Sequence, residues 1–333
     1  MARPSVATMR RTLLISALAL TIAGTAATTA DATFPGRNGP IAYRQFDFDT
    51  QRLTLVRARP DGTQRTELTD LPGFLSDWRA DGRRIAYDFF DADGNEQIAS
   101  ATADGGDLRV LTSGAGIHEA PSWSPDGRRI VFDFSPQPDP STPGFQTRLW
   151  TMRADGTHAR PLPMWPEGFD VEPRYSPDGR WIAFGRLLIS SGGEQQQAVF
   201  IVAADGGRVR QLTPWSANAE HPTWSPDSRW ITFNSLPELI SPSGTIEAIR
   251  PDGRQRHTIL AATDTLGAHK PWYSPDGSRI LFMCAITEPD QPYNEDLCVV
   301  NADGTHVLDI TNTPDAFENG PSWGPAPRSH RQD

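Results

Sequence analysis

A short motif, an aromatic residue followed by Ser-Pro-Asp-Gly, recurs about every 50 residues along this chain. A period of this length is typical of a β-propeller or a solenoid. Proline presets φ at the second turn position, aspartate bonds to nearby backbone and glycine accepts positive φ, so each copy predicts a tight turn between two strands. The marker aromatics of the six copies, with the first and last degenerate, are Trp78, Trp123, Tyr175, Trp224, Tyr273 and Trp323.

An Asp-Gly pair alternates with this motif and predicts a second turn in every repeat. Two hairpin turns imply four strands per repeat, which is the composition of a propeller blade. Six copies of each signature therefore predict an all-β, six-bladed β-propeller with four-stranded blades. The C-terminal strand at about 321–323 is expected to join the N-terminal strands at about 39–69 and close the ring, because an open ring would expose unpaired strand groups.

The six marker aromatics are expected to pack between blades. An aromatic side chain that recurs in every repeat serves the scaffold, whereas a ligand site is not repeated six times. Stacking against a ligand is the alternative.

The first 32 residues have the pattern of a secretory signal peptide, with a basic start, an apolar run and the small residues Ala30 and Ala32. The apolar run of about 16 residues is shorter than the ~20 residues of a spanning helix, so no transmembrane segment is expected after cleavage. We expect a signal peptide at 1–32, one propeller domain at 33–325 and a disordered tail at 326–333. The pair Arg10-Arg11 leaves both the general secretory and the twin-arginine routes open.

The chain is acidic, with a formal net charge of -10, and loss of the leader would make it slightly more negative. A nucleic-acid partner is therefore not expected, because phosphate binding needs a basic patch. Export also affects Cys284 and Cys298, which flank a Pro- and Asp-rich stretch. In an oxidising compartment they are expected to form a disulfide across a hairpin, with two free thiols as the alternative.

The repeat pattern Pro-x-Trp-Ser-Pro-Asp-Gly-x-x-Ile-x-Phe, seen from Pro121 to Phe132, resembles that of TolB-like β-propellers. Related repeats occur in the propellers of prolyl-oligopeptidase relatives and of oligogalacturonate lyases. The resemblance covers essentially all of the expected mature chain and implies the propeller fold. We expect no counterpart of the TolB N-terminal domain, so the Tol-Pal role is not implied. The Gly-x-Ser-x-Gly elbow of a hydrolase domain is absent from the sequence.

Histidine and acidic residues lie a few positions before the marker aromatics, where a propeller chain reaches its central channel. Three histidines and several carboxylates at one channel mouth suit a divalent metal, the one cofactor this pattern suggests, and the resembling oligogalacturonate lyases use a metal in their channel. The alternative is a polar channel lining without a ligand role, which we favour because no ligand spacing is diagnostic. The candidate metal residues are His118, Glu119, Glu172, Glu220, His221 and His269.

The leading functional hypothesis is an exported, monomeric propeller scaffold, secreted or held in the periplasm or cell envelope. It would bind a protein, peptide or glycan at its channel mouth and at long loops near 136–145, 188–197 and 288–296, without complete catalytic machinery. The alternative is a metal-dependent lyase or hydrolase acting on a polysaccharide or another anionic substrate. That enzyme would use the three channel histidines as metal ligands and Glu119, Glu172 or Glu220 as a ligand or base.

Overall fold

The computed structural model describes residues 35–69, 75–137, 146–189, 194–236, 244–286, 294–313 and 315–327. The predicted signal peptide at 1–32 lies outside the described residues, as do 328–333 of the predicted tail and large parts of the three long loops. Ala326, from the predicted tail, donates its N–H to the carbonyl of Arg37.

The described residues form β-strands and one short 3-10 helix, Trp215–Ala217. The early strands are β1 (Asn38–Asp47), β2 (Arg52–Ala58), β3 (Thr66–Thr69), β4 (Ser76–Trp78), β5 (Arg84–Phe90), β6 (Glu96–Thr102), β7 (Arg109–Val110), β8 (Ile117–Trp123), β9 (Arg129–Ser135), β10 (Arg148–Arg153) and β11 (Arg160–Pro161). The middle strands are β12 (Met164–Trp165), β13 (Phe169–Tyr175), β14 (Trp181–Ile189), β15 (Gln195–Ala203), β16 (Gly207–Arg208) and β17 (Arg210–Gln211). The last strands are β18 (Ala219–Trp224), β19 (Ile231–Ser235), β20 (Thr245–Ile249), β21 (His257–Leu260), β22 (Leu266–Tyr273), β23 (Arg279–Ile286), β24 (Asn294–Asn301), β25 (Leu308–Asp309) and β26 (Ala316–Pro325).

These strands make an all-β propeller fold built from antiparallel, four-stranded units. We number the units along the chain: unit 1 is β26-β1-β2-β3, unit 2 is β4 to β7, unit 3 is β8 to β11, unit 4 is β13-β14-β15-β17, unit 5 is β18 to β21 and unit 6 is β22 to β25. Units 1, 4, 5 and 6 are separate four-stranded sheets. Units 2 and 3 belong to one eight-stranded sheet, because a single parallel pair, Glu96 with Ile117, joins them. Six separate four-stranded sheets were expected. The structure has four such sheets and one eight-stranded sheet that contains units 2 and 3.

Unit 1 draws its strands from both ends of the described chain. β26 pairs antiparallel with β1, and the register places Ile41 opposite Trp323 and Asp47 opposite Ala316. The indole N–H of Trp323 also donates to the carbonyl of Gly39 at 3.2 Å.

The hydrophobic core is divided into clusters that lie between consecutive units. Trp123 of unit 3 packs with Ile98 and Leu111 of the preceding unit, and Tyr175 of unit 4 packs with Leu149 of unit 3. The other marker aromatics are placed in the same way. All six are at most 8% exposed, so each seam between units has a buried aromatic ring.

The predicted disulfide is present and joins Cys284 of β23 to Cys298 of β24, with their Cα atoms 5.7 Å apart. Within the described part of the chain, no helix has the length and apolar character needed to cross a membrane.

Candidate functional site

The two ends of the units differ in how their strands are connected. At one end, which we call the turn rim, near-identical turns join the first two strands of units 2 to 6. Each turn has a bond such as that from Gly127 N–H to Ser124 C=O at 2.8 Å. At the other end, the variable rim, the inner strands begin and the second and third strands are joined by hairpins of different lengths. The inner strands therefore lead from the variable rim toward the turn rim along the centre of the molecule.

Each inner strand from unit 3 onward contains a β-bulge at the residue before a proline. The pairing register shifts at these points, and the bulged residue has positive φ, which costs a residue other than glycine roughly 1–2 kcal/mol. The bulged residues are Ala120, Glu172, His221, Lys270 and Gly320, with φ between 50 and 59°.

Acceptors on neighbouring units compensate for this backbone conformation. The N–H of Glu172 donates to Asp133 Oδ2 at 3.0 Å, and the N–H of Lys270 donates to Asn234 Oδ1 at 3.2 Å. In each pair the acceptor follows the aromatic residue of the preceding unit's second strand. These bulges are thus fixed by side chains of the preceding unit.

Four of the five bulged residues line a small cavity of about 20 Å³, which we call the central channel. Its lining includes Glu172 of unit 4, His221 of unit 5, Lys270 of unit 6 and Gly320 of unit 1. His221 Nε2 lies 3.1 Å from Glu172 Oε1, and Lys270 Nζ donates to Asn319 Oδ1 at 2.7 Å. The channel is therefore lined by ionisable groups that contact one another across units.

Charge partners determine the protonation of this group. Burial acts to raise the pKa of Glu172, but His221, Lys270 and Arg174 outweigh it and lower that pKa to about 2. Burial lowers the pKa of Lys270, with Glu172 opposing the effect. Glu172 is consequently held as a carboxylate beside Lys270 and Arg174.

Units 2 and 3 contribute an acidic group instead. Burial raises the pKa of Glu96, and a hydrogen bond to Glu119 and the nearby charge of Asp88 add to the effect. Burial and the charge of Glu119 likewise raise the pKa of Asp133. Glu96 Oε1 and Asp133 Oδ1 are buried and have no hydrogen-bond partner among the residues that the structure describes.

The six predicted metal residues do not converge on one point. Glu172 and Glu220 both approach His221, with Glu220 Oε2 at 3.8 Å from Nδ1. His118 is buried elsewhere: its ring lies 4.5 Å from that of Phe134 and its Nδ1 is 3.1 Å from the carbonyl of Glu96.

The ring of His269 lies close to the backbone of Gly244. A side chain at position 244 would approach it, since an ideal Cβ there would lie 3.0 Å from His269 Cε1. Across the residues that the structure describes, no group of three or more His, Cys, Asp or Glu side chains is placed to hold a metal.

Two sets of residues at the bulges were missed by the sequence-based prediction. Lys270 is the bulged residue of unit 6, and the proline that follows it is the signal that would have identified it. Asp133 and Asn234 were missed because they belong to the preceding repeat. Their signal is an acidic or amide residue directly after the second-strand aromatic.

The fold and its polar central channel define a β-propeller. A family model described as the TolB beta propeller domain matches residues 28–327, which is most of the chain. The chain belongs to the TolB β-propeller domain family.

Solved structures of low sequence identity share this fold. TolB from Acinetobacter baumannii is 24% identical with a TM-score of 0.68, over 88% of this chain and 67% of that chain. A chain of the nidogen/laminin complex is 12% identical (TM-score 0.59; 86% and 98%), and an oligogalacturonate lyase in complex with manganese is 15% identical (TM-score 0.53; 84% and 78%). No curated protein matches the chain.

Proposed function

We propose that this protein is an exported binding module that recognises a protein partner at the variable rim and the mouth of the central channel. The observation that carries the proposal is the difference between the two rims. The turn rim repeats one turn, whereas the variable rim combines hairpins of unequal length with the ionisable channel group. Recognition on repeat scaffolds is concentrated where such variable loops surround one face.

The proposal includes a six-bladed ring in which every unit is one blade. Two observations support it: the single strand pair that joins units 2 and 3, and the pairing of β26 with β1. The clusters between consecutive units support the same ring, including the one that contains both Trp323 and Leu281. A mature domain at 33–325 and a monomeric state belong to the same proposal.

The acidity of the whole chain, together with Glu119 at the mouth formed by units 2 and 3, favours a partner segment that is positively charged and rich in N–H donors. Lys270 and Arg174, which lie beside Glu172, do not contribute to this attraction. The chain has a net charge of -10, and Glu119 lies half-buried beside the acidic group of units 2 and 3. Attraction between such a segment and the channel mouth would speed association and weaken with added salt. Similar propellers include a member of the nidogen/laminin complex, whose title names an assembly of two proteins.

Site-specific photo-crosslinking in the producing cell tests this proposal. A photoreactive residue at Gln195, exposed on the variable rim, is compared with one at Arg128, exposed on the turn rim. We expect one dominant adduct from position 195, reduced by high salt and by Glu119→Gln, and none of that mass from position 128. Equal adducts from both positions, or no adduct at 195, would contradict the proposal.

The metal-dependent enzyme remains the second candidate, supported by the position of His221 between Glu172 and Glu220 and by the manganese complex of a similar lyase. Elemental analysis of protein purified without chelator, with melting temperatures before and after EDTA, separates the candidates. We expect no stoichiometric metal and no shift. One metal per chain, with a lower melting temperature after chelation that His221→Ala abolishes, would favour the enzyme.

A further inference from the structure

A second cavity, of about 700 Å³, lies between units 3 and 4 at the turn rim. Its lining shares no residue with the central channel. A cavity of this size lies within the range of small-molecule sites in proteins. Tyr175, Arg129 and Arg160 all line it.

The cavity occurs at a seam whose marker aromatic is tyrosine. The other tyrosine seam, at Tyr273 between units 5 and 6, has a smaller cavity of about 400 Å³ in the same place. Tyrosine is smaller than the tryptophan found at the other four seams, so it fills less of the space between two units.

Arg129 and Arg160 are two exposed guanidinium groups without an ion pair or side-chain hydrogen bond in the described part of the chain. Unit 2 has arginines at the equivalent positions, Arg84 and Arg109, and both pair with Asp107, at 2.7 and 2.8 Å. In unit 3 the position of Asp107 is occupied by His158. The charge that neutralises this pair in unit 2 is thus missing from unit 3.

Units 2 and 3 also differ in the hydrogen bonding of one hydroxyl group, that of Ser100 in unit 2 and of Thr151 in unit 3. In unit 2, Arg84 donates to the hydroxyl of Ser100 at 3.2 Å. The residue at this position in unit 3 is Thr151, which is 4% exposed and lines the cavity. Among the described residues its Oγ1 has no arginine or other close hydrogen-bond partner, and only the Tyr175 hydroxyl interacts with it. A buried hydroxyl without a well-formed hydrogen bond carries a desolvation cost that a ligand would lower.

The acidic residues of the cavity are largely occupied by their own turns. Asp126 Oδ1 accepts from the Ser124 hydroxyl at 2.7 Å, and Asp178 pairs with Arg180 at 3.1 Å. Asp205 lies exposed at the edge. Within the described ranges, Arg129 and Arg160 are therefore the two basic groups of the lining without a carboxylate partner, in a lining whose three arginines and three aspartates balance in charge.

The equivalent cavity between units 5 and 6 differs in its chemistry. Trp230 and His257 replace the two arginines, and their rings contact each other at 4.8 Å between centroids. The cavity between units 5 and 6 provides an internal control, since it lies at the equivalent place in the repeat and lacks the guanidinium pair.

We propose that the cavity between units 3 and 4 binds a small organic molecule through an oxyanion, a carboxylate or a phosphate, held by Arg129 and Arg160. The ligand anion takes the place that the carboxylate of Asp107 has in unit 2. The Thr151 hydroxyl donates to the ligand, the Tyr175 ring covers its less polar part, and Asp205 accepts from a ligand hydroxyl or amine. Arginine suits this role because its planar donors match the two oxygens of a carboxylate or phosphate.

Isothermal titration calorimetry of the purified protein with citrate and with inorganic phosphate, at constant ionic strength in chloride buffer, tests the proposal. We expect one site per chain for at least one probe. Citrate alone would identify a carboxylate ligand, and phosphate alone a phosphorylated one. Affinity should fall about tenfold or more in the double variant Arg129→Ala/Arg160→Ala, because each lost contact is a charge-assisted hydrogen bond.

His158→Asp is the sharper variant, because it copies Asp107 of unit 2 and supplies the missing carboxylate within the protein. His158 is exposed, and both it and Asp107 have positive φ, so the substitution is compatible with the backbone. It should abolish binding and leave the far-UV circular dichroism spectrum unchanged, while His257→Ala in the control cavity should bind like the wild type. No binding of either probe, or binding that survives both the double variant and His158→Asp, would overturn the proposal.

Discussion

The seam between units 2 and 3 and the seam between units 3 and 4 are built from the same repeat but differ in two ways. At the first seam the Trp123 side chain is buried, with 1% of its surface exposed, whereas at the second seam Tyr175 borders a cavity. The arginine pair is neutralised by Asp107 at the first seam and is unpaired at the second. Two positions, the marker aromatic and the turn residue that is Asp107 in unit 2, thus distinguish a structural seam from a candidate site.

The largest expected effect concerns the two aromatic rings. Trp123→Ala should lower the free energy of unfolding by about 3–5 kcal/mol, because it opens a cavity in a closed core. Tyr175→Ala should cost clearly less, since its ring already borders open space. Urea denaturation followed by circular dichroism measures both. Equal losses of unfolding free energy in the two variants would show that the two seams are equally well packed.

The seams should also differ in their response to pH. Across the first seam, the N–H of Trp123 donates to the buried carboxylate of Asp77 at 2.8 Å; across the second, the N–H of Tyr175 donates to the uncharged hydroxyl of Ser122 at 3.2 Å. Burial raises the pKa of Asp77 to about 6, although Arg174 and the Trp123 N–H oppose it.

Because the folded state then holds its proton more tightly than the unfolded state, this contribution to stability is present below about pH 4 and is lost as the pH rises to about 6. The loss is on the order of 2–3 kcal/mol. Asp77→Asn should flatten the dependence of unfolding free energy on pH in that window. Ser122→Ala should steepen it instead, because the Ser122 hydroxyl also bonds to Asp77 and helps to keep that carboxyl ionised. Parallel curves for wild type and Asp77→Asn would contradict this.

A third test concerns the hydrogen bond from Glu172 N–H to Asp133. Asp133→Ala should cost about 1–3 kcal/mol, because it leaves a buried N–H without an acceptor. Asp133→Asn should cost little, since Asn234 accepts the equivalent bond from Lys270 in unit 5. Equilibrium unfolding of the two variants is the measurement, and an asparagine variant as unstable as the alanine variant would show that the carboxylate itself is required.

The smallest expected effect is that of Asp107→Ala. The Asp107 side chain is 48% exposed, so loss of its pairs with Arg84 and Arg109 should cost less than about 1 kcal/mol. The variant should, however, give unit 2 an arginine pair without a carboxylate, as in unit 3. Because Trp123 still fills the seam, no citrate or phosphate site should appear in calorimetry; a new site there would show that charge alone suffices without the cavity.

Much of the fold could be predicted because it depends on local, repeated signals. The turns at Ser-Pro-Asp-Gly, the second strands and the disulfide between Cys284 and Cys298 all follow from residues close together in sequence. The joined sheet of units 2 and 3 could not be predicted, because it depends on a single pair, Glu96 with Ile117, that no repeat signal marks.

The candidate sites were less predictable, because they depend on contacts between repeats. Glu172 and His221 were identified as channel candidates, but their 3.1 Å pairing follows from two bulges on different units. The cavity beside Tyr175 could not be predicted, because the sequence does not show whether another side chain fills the space that tryptophan occupies at other seams. Aromatic identity is visible in sequence, whereas the packing around it is a property of the folded molecule.

The pairing of β26 with β1 has a consequence for the order in which the protein is assembled. Until Ala316–Pro325 has been synthesised, β1 has an unpaired edge, and such an edge is a template for other chains. A protein lacking these ten residues should therefore self-associate, and a synthetic peptide of the same sequence should bind the vacant edge and reverse that self-association. We therefore expect the last strand to complete unit 1 and also to protect the edge of β1 from pairing with other chains.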